Sequence, residues 1–414
     1  MPSPQILVHS PIGNAFVRAL LTALSQADLL QGFYTTVAVT PEDEEWLSFL
    51  PHALSRDLRR RSYTLPKDKI HLRPLRQLLA VGTAKLKMSD RLPSFLRHWL
   101  SIYEIGKDLD LAVARQLPRL TELQGVYAYE DAAAFSFRAA EKLGLKRFYD
   151  LPIGYWQAGQ DIQKEEAELN PEWAVTMPAI QEPAEKLARK DEEIQQADRI
   201  FVASHFTRQT LHKIPDLKTP VHVIPYGAPP PRIPDKHLST PVKKLQVLFV
   251  GSLGQRKGVS YLFQAIELLA GQVDLNLIGL PIGSCPGLTK ALQTYRWLGS
   301  IPHQEVLQEM QRNDVLVFPS LFEGFGLVIL EAMACGLPVI TTPHTAGPDV
   351  ITDGEDGFIV PIRSAIAIAE KLTLLDQDRD RLYQMGQAAL RKSQQFSWES
   401  YGQGILSIVR QSFL

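Results

Sequence analysis

The sequence predicts an α/β protein made of two Rossmann-like domains with parallel sheets. Three observations predict it. Short apolar runs rich in β-branched residues alternate with helical apolar spacing along most of the chain. Two of these runs, 5–8 and 245–250, are each followed by a glycine-bearing turn and a helix pattern, as at the start of a doubly wound domain. Between them, 228–241 is rich in proline, with Pro229, Pro230 and Pro231 adjacent, and reads as a stiff linker. The expected division is a first domain over 1–226, a linker over 227–243 and a second domain over 244–396.

Bulk properties narrow the class. The chain has 414 residues, enough for two ordinary domains, and its 45% hydrophobic content suits a real core. A net charge of −1 gives no global argument for nucleic acid. Cys285 and Cys335 are the only cysteines and offer neither a disulfide framework nor metal-ligand spacing, which suits a reducing cytoplasm. The start, Met1-Pro2-Ser3-Pro4-Gln5, lacks the pattern of a signal peptide, and no apolar run reaches membrane-spanning length.

In order, Gln5 to Val8 reads as a strand, then a turn through Gly13, then a helix with Phe16, Leu20 and Leu24 in register. Gly13 lets a ligand approach the backbone, although such a join is also ordinary structure. Phe33 to Val39 reads as a second strand. From His52 to Lys107 there are thirteen Lys and Arg against four Asp and Glu, interleaved with leucines, Phe95 and Trp99. Such a stretch suits an anionic membrane surface or an acidic acceptor. It also fits a solvated face whose charges are paired elsewhere, with the acidic run Asp161 to Glu193 as one source of partners. Strands at Gly125–Tyr129 and Lys146–Tyr149 end in Glu130-Asp131 and Tyr149-Asp150. Ligands gather at the carboxyl ends of parallel strands, so these four are acceptor-side candidates; strand ends with helix caps would look the same. Met177 to Ala197 reads as one long charged helix, and His205 to Ile214 as another.

In the second half, Leu245 to Val250 leads into Gly251-Ser252-Leu253-Gly254-Gln255-Arg256-Lys257-Gly258. Two cations and flexible glycines after a strand suit a diphosphate, Arg by bidentate contact and Lys as a compact charge. A surface turn with ordinary charges would read alike, and the Walker order is absent. Asp274 to Ile278 ends at Gly279. A further strand and loop lead through Ile301 to His303, which reads as a capping or surface residue. Asp314 to Phe318 is a buried strand. Gly324 and Gly326 start a helix, and Gly336 and Pro338 end it. Glu323 precedes that helix and Glu331 lies within it among apolar neighbours. The N–H groups of the helix start favour phosphate. Two carboxylates flanking a phosphate site suit a nucleotide joined to a sugar. A solvated Glu323 and a Glu331 satisfied by a core partner fit the residues too.

The run Phe318-Pro-Ser-Leu-Phe-Glu323-Gly-Phe-Gly326, continued by Glu331-Ala-Met-Ala-Cys-Gly336-Leu-Pro338, resembles the paired-glutamate signature of glycosyltransferase family 4. The phrase Ala197-Asp-Arg-Ile-Phe-Val-Ala-Ser204 resembles the end of that family's acceptor domain. The resemblance implies a GT-B fold, two Rossmann-like domains facing a central cleft, with the closing helix 397–414 packing back on the first. It implies a retaining glycosyltransferase moving a sugar from a UDP-, GDP- or ADP-linked donor to a hydroxyl of a carbohydrate, lipid-linked or small-molecule acceptor, in polysaccharide, glycolipid or other glycoconjugate synthesis. Arg256, Lys257 and Glu323 carry the chemistry by that resemblance: the cations on the diphosphate, Glu323 on the sugar. Glu331 takes the ribose hydroxyls. Gly13, Gly251, Gly279, Ile301, Gly324, Phe325, Gly326 and Leu327 line the donor, with no metal and no cofactor required. Relatives often carry a His before the aspartate where this chain has Tyr149, so no sugar-contacting His is transferred. An epimerase or hydrolase on the same fold, or a silent nucleotide-sugar-binding protein, are the alternatives. The expected location is the cytoplasm, with the basic segment 52–107 touching the inner face of a membrane.

Overall fold

The computed structural model describes residues 3–43, 47, 49, 55, 58, 59, 61–85, 88, 92–232 and 244–414. The first sheet takes β1 (Gln5–His9), β2 (Leu30–Thr35), β3 (Ile70–Leu72), β4 (Leu123–Tyr129), β5 (Lys146–Leu151), β6 (Arg199–Val202) and β7 (Val221–Val223) in the order β3-β2-β1-β4-β5-β6-β7. The second takes β8 (Leu245–Val250), β9 (Val273–Ile278), β10 (Arg296–Trp297), β11 (Val315–Phe318), β12 (Val339–Thr341) and β13 (Gly357–Ile359) in the order β10-β9-β8-β11-β12-β13. Every pairing is parallel. Parallel strands need crossovers, so helices cover both faces and the strands are apolar on both sides. All four residues of β11 are buried, each contributing about 1.5–3 kcal/mol.

The helices that matter below are α1 (Ala15–Gln26), α2 (Leu75–Lys85), α3 (Ser94–Trp99), α4 (Ile102–Gln116), α5 (Ala134–Lys142), α6 (Trp156–Leu169), α7 (Ala184–Gln196), α8 (His205–Thr210) and α9 (Val259–Leu268). After these come α10 (Pro286–Thr294), α11 (His303–Arg312), α12 (Leu327–Ala334), α13 (Gly347–Val350), α14 (Ala365–Gln377), α15 (Arg379–Ser393) and α16 (Trp398–Gln411). α1 buries Phe16, Val17, Leu20, Leu21 and Leu24, a stripe at helical spacing. α16 is capped by Ser397, whose Oγ accepts from Ser400 N–H at 3.0 Å. It lies against α1, where Gly402 faces Ala23, and Tyr401 reaches the first-domain core.

Both sheets reverse direction between their first strand and the fourth, β1 against β4 and β8 against β11. At such a switch the two following loops splay apart and leave a crevice. The chain crosses between the halves twice, and Gly227 on one crossing lies against Trp398 on the other. Of the linker expected at 227–243, residues 233–243 lie outside the described residues; Ala228 N–H donates to Phe396 O at 2.9 Å and Arg232 N–H to Ala334 O at 2.8 Å.

Several element boundaries differ from the sequence reading. The second strand is β2 (Leu30–Thr35), shifted toward the N-terminus of the expected Phe33–Val39. The long helix expected over 177–197 is instead a 3-10 turn at Pro178–Gln181 followed by α7. Pro178 and Pro183 lack the N–H that a continuous helix needs. β5 continues through Tyr149 and Asp150 to Leu151.

Candidate active site

The turn after β8 and the loop after β11 leave neighbouring strands at the second sheet's switch point, which is why residues 66 positions apart meet. The Lys257 ammonium contacts Glu323 Oε2. Arg256 Nη1 donates to Phe322 O at 2.7 Å and lies 3.4 Å from Glu323 Oε2. Lys257 Nζ also sits 4.7 Å over the Phe318 ring. Burial pulls the Arg256 and Lys257 pKa values down, and Arg256 adds to the effect on Lys257. The Glu323 carboxylate is the counter-charge that faces both cations. Two cations against one carboxylate leave a net positive pocket, poised for an anion.

Gly326 opens α12 at φ +82°, a left-handed conformation that favours glycine. Leu327 is its first residue, and the N–H groups at this end are open to an incoming anion. Phe325 does not present its ring to the cleft: it is 2% exposed and packs on Tyr226 at 5.1 Å, so only its backbone can line a donor. Gly324 lies on the seam between the halves, where a Cβ would stand 1.8 Å from Pro152 O. Gly279 and Gly251 lie against each other beside β8 and β9. Ile301 is half-buried beyond β10.

Glu331 lies in α12 apart from that triad. Its Oε1 lies 2.9 Å from His303 Nε2, and this hydrogen bond raises the His303 pKa. The sequence reading took His303 as a cap or surface group. The cap position is Pro302, and His303, exposed as expected, is the partner of Glu331. Arg232 and Arg18 both lie close enough to oppose protonation of His303. Arg18 comes from the opposite wall, where it donates to Gly13 O at 3.3 Å. Gly13 packs directly on the Tyr63 hydroxyl.

The four acceptor-side candidates part company. Tyr149 and Asp150 are buried inside β5, since the strand runs on past them. The Tyr149 hydroxyl donates to Glu193 at 3.2 Å. Asp150 accepts from Tyr127 at 2.7 Å and, more distantly, from Tyr401 at 3.5 Å. Glu130 pairs with Lys190 at 3.1 Å, and burial pushes its carboxyl up to about 7. Asp131 remains partly accessible, with φ +71°. Its N–H donates to Glu193 at 2.9 Å and its carbonyl accepts from Arg189 at 2.6 Å.

Part of the basic segment is neutralised nearby. Arg73 pairs with Asp108 at 2.8 Å, Arg76 with Glu104 at 3.6 Å and Lys67 with Asp43 at 3.0 Å. The acidic run 161–193 supplies one such partner among the described residues, Glu185 for Lys107 at 3.3 Å. Arg60, Leu86, Lys87 and Arg91 of that segment lie outside the described residues. A groove of about 530 Å³ beside Glu355 and Arg381 shares none of the candidate residues, so volume alone does not mark the site.

Residues 234–392 match the family model described as Glycosyl transferases group 1. That stretch, which holds the second sheet, is similar to the group 1 glycosyl transferases. A D-inositol 3-phosphate glycosyltransferase of Corynebacterium aurimucosum is 34% identical over 177 residues, 39% of this chain and 42% of that protein. A sucrose synthase of Acidithiobacillus caldus is 35% identical over 125 residues, 28% of this chain and 16% of that protein. The chain thus spans well under half the length of these curated relatives. Among solved structures, sucrose-phosphate synthase from Thermosynechococcus elongatus matches with TM-score 0.65 at 20% identity, covering 99% of both chains. Anabaena HepE in complex with UDP-glucose matches with TM-score 0.61 at 17% identity, covering 98% of this chain and 99% of that one. The matched stretch therefore sits in a chain of GT-B fold. The Arg256–Lys257–Glu323 cluster and Glu331 all fall within the matched span.

Proposed function

We propose that the protein is a retaining glycosyltransferase that moves a hexosyl group from a nucleotide sugar to an acceptor hydroxyl. The observation that carries this reading is the convergence of Arg256, Lys257 and Glu323 at the switch point of the second sheet. In the reaction, the acceptor oxygen bonds to the anomeric carbon while the bond from that carbon to the diphosphate breaks. The nucleoside diphosphate keeps the electron pair, and the acceptor proton passes to its departing oxygen on the same face. Negative charge grows on the diphosphate. Arg256, Lys257 and the start of α12 stabilise it there, in a site shielded from water.

Donor entry exchanges partners. The diphosphate takes the cations, which releases Glu323 to accept from donor-sugar hydroxyls. Glu331 accepts from the ribose once His303 gives way. The solved HepE complex contains UDP-glucose, which makes UDP-linked hexoses the first donors to try. Asp131, with Glu130 behind it, lines the acceptor side in this reading; buried Tyr149 and Asp150 leave it. The acceptor is a carbohydrate, lipid-linked or small-molecule hydroxyl. The exposed leucines of α2 support peripheral contact with an anionic membrane, which would bring a lipid-linked acceptor to the cleft.

The test is a thermal-shift screen with UDP, GDP, ADP and their hexose conjugates. One nucleotide at 100 times its dissociation constant is expected to add about 2.7 kcal/mol of stability. Arg256→Ala and Glu331→Ala are each expected to abolish the shift. A folded protein that none of these ligands stabilises would falsify the donor site. Free sugar released at full rate without acceptor would move the reading to a hydrolase.

A further inference from the structure

α6 belongs to the first half in sequence, yet it packs on the two loops that form the donor site. Its residue Glu166 is fully buried. Glu166 Oε1 accepts from Gln255 Nε2 at 2.7 Å, Asn170 Nδ2 at 2.7 Å and the Tyr261 hydroxyl at 2.9 Å. Glu166 Oε2 accepts from Arg363 Nε at 2.8 Å. A carboxylate removed from water is tolerated only when its lone pairs are filled this way, and removing one partner leaves the rest exposed to a desolvation penalty. Gln255, Tyr261 and Arg363 all come from the second half.

Gln255 is the key partner because Arg256 and Lys257 follow it directly. Gln255 is itself fully buried. Its side chain bonds to Ser260 at the start of α9 as well as to Glu166. Its backbone N–H donates to Thr176 Oγ1 at 2.9 Å, just beyond α6. The turn carrying the two cations is thus held from the first half through both the side chain and the backbone of one residue. The same helix meets the other loop. Gly159 within it and Gly154 just before it pack on the ring of Phe322, whose carbonyl holds Arg256 and whose neighbour is Glu323.

We propose that Glu166 is a positioning residue of the donor site. Through Gln255 it fixes the Arg256–Lys257 turn, so that docking of α6 and binding of the donor diphosphate stabilise each other. Such coupling is reciprocal: a diphosphate in place tightens the docking of α6, and losing the α6 contacts loosens the diphosphate. The nucleoside, held near Glu331 and away from Gln255, lies outside this coupling. The inference rests on the donor reading above.

The experiment titrates the full-length protein calorimetrically with whichever of UDP, GDP and ADP binds best, and with the matching nucleoside. Glu166→Gln keeps the shape and removes the charge. It is expected to weaken the diphosphate about tenfold or more while nucleoside affinity stays within about threefold. Gln255→Leu is expected to give the same split and carries the test should a Glu166 variant not fold. His205→Ala, which cuts a different contact between the halves, is expected to leave both affinities in place. An unchanged diphosphate-to-nucleoside ratio in folded Glu166→Gln and Gln255→Leu overturns the inference. So does an equal loss in His205→Ala, which would reduce Glu166 to one brace among several. Failure of the unsubstituted protein to bind any of the three nucleotides shows itself before any substitution, and it overturns the donor reading rather than the coupling alone.

Discussion

Asp150 sits among four tyrosines, Tyr127, Tyr129, Tyr226 and Tyr401, where burial pushes its carboxyl up to about 7. In the unfolded chain an aspartate titrates near 3.9, so the native state binds the proton more tightly. The stability this gives is complete below about pH 4 and is lost as pH rises through about 7. Glu130 and Glu193, raised to about 7 and about 8, act in the same direction. Asp150→Asn keeps an acceptor for the Tyr127 hydroxyl and removes the titration. Its melting temperature is expected to match that of the parent near pH 4 and to exceed it increasingly as pH rises, by an amount worth on the order of 3–4 kcal/mol at pH 8. Equal melting curves at both pH values would show that Asp150 does not ionise against the fold. None of this was legible in the sequence, which presents Asp150 as an ordinary strand end. Arg256, Lys257 and Glu323 stood out in the sequence through the family resemblance, since spacing alone left an ordinary surface turn equally open. Glu166 did not. Its partners lie 89 and 197 residues away, and in sequence it is one acid in an acidic run.

Elements were read well where one period dominated, as in α1 and the buried strands of both sheets. They were misread where proline overrode it, at Pro178 and Pro183, or where a polar pair closed a strand early on paper, at Tyr149-Asp150. α2 is an element whose apolar face found no partner among the described residues. Leu75, Leu78 and Leu79 are exposed at helical spacing, and Phe95 of α3 is 67% exposed. In the sequence, Lys85, Lys87, Arg91 and Arg97 follow those leucines, with Asp90 among them. Cations near an anionic surface contribute about 1 kcal/mol each, and inserted leucines add to this. The protein is expected to float with vesicles containing anionic lipid at low salt and to be released as salt rises. Replacing Leu75, Leu78 and Leu79 together by Glu is expected to abolish flotation without changing nucleotide affinity. Flotation that survives the triple substitution would place the contact elsewhere.

At the scale of the whole molecule, the two halves meet along a polar seam as well as through α6. Thr207 Oγ1 donates to Gly324 O at 2.9 Å, joined by Ser204. His205 N–H lies 3.2 Å from both oxygens of Asp349, and its ring contacts the same carboxylate. These groups tie the two halves together across the cleft. Yet Arg256, Lys257, Glu323 and Glu331 all sit on the second half. On the proposed reading, opening the seam while α6 stays docked on the second half costs acceptor placement and exclusion of water rather than nucleotide affinity. Combining His205→Ala with Thr207→Val removes seam bonds without touching the cationic turn. The double variant is expected to show a larger radius of gyration by X-ray scattering and a lower kcat, with nucleotide affinity within about threefold of the parent. This is the reverse of the pattern expected for Glu166→Gln, which loses diphosphate affinity through Gln255. Should the double variant instead lose affinity while its size stays the same, the seam would be acting on the donor loop itself, and closure would not be its role.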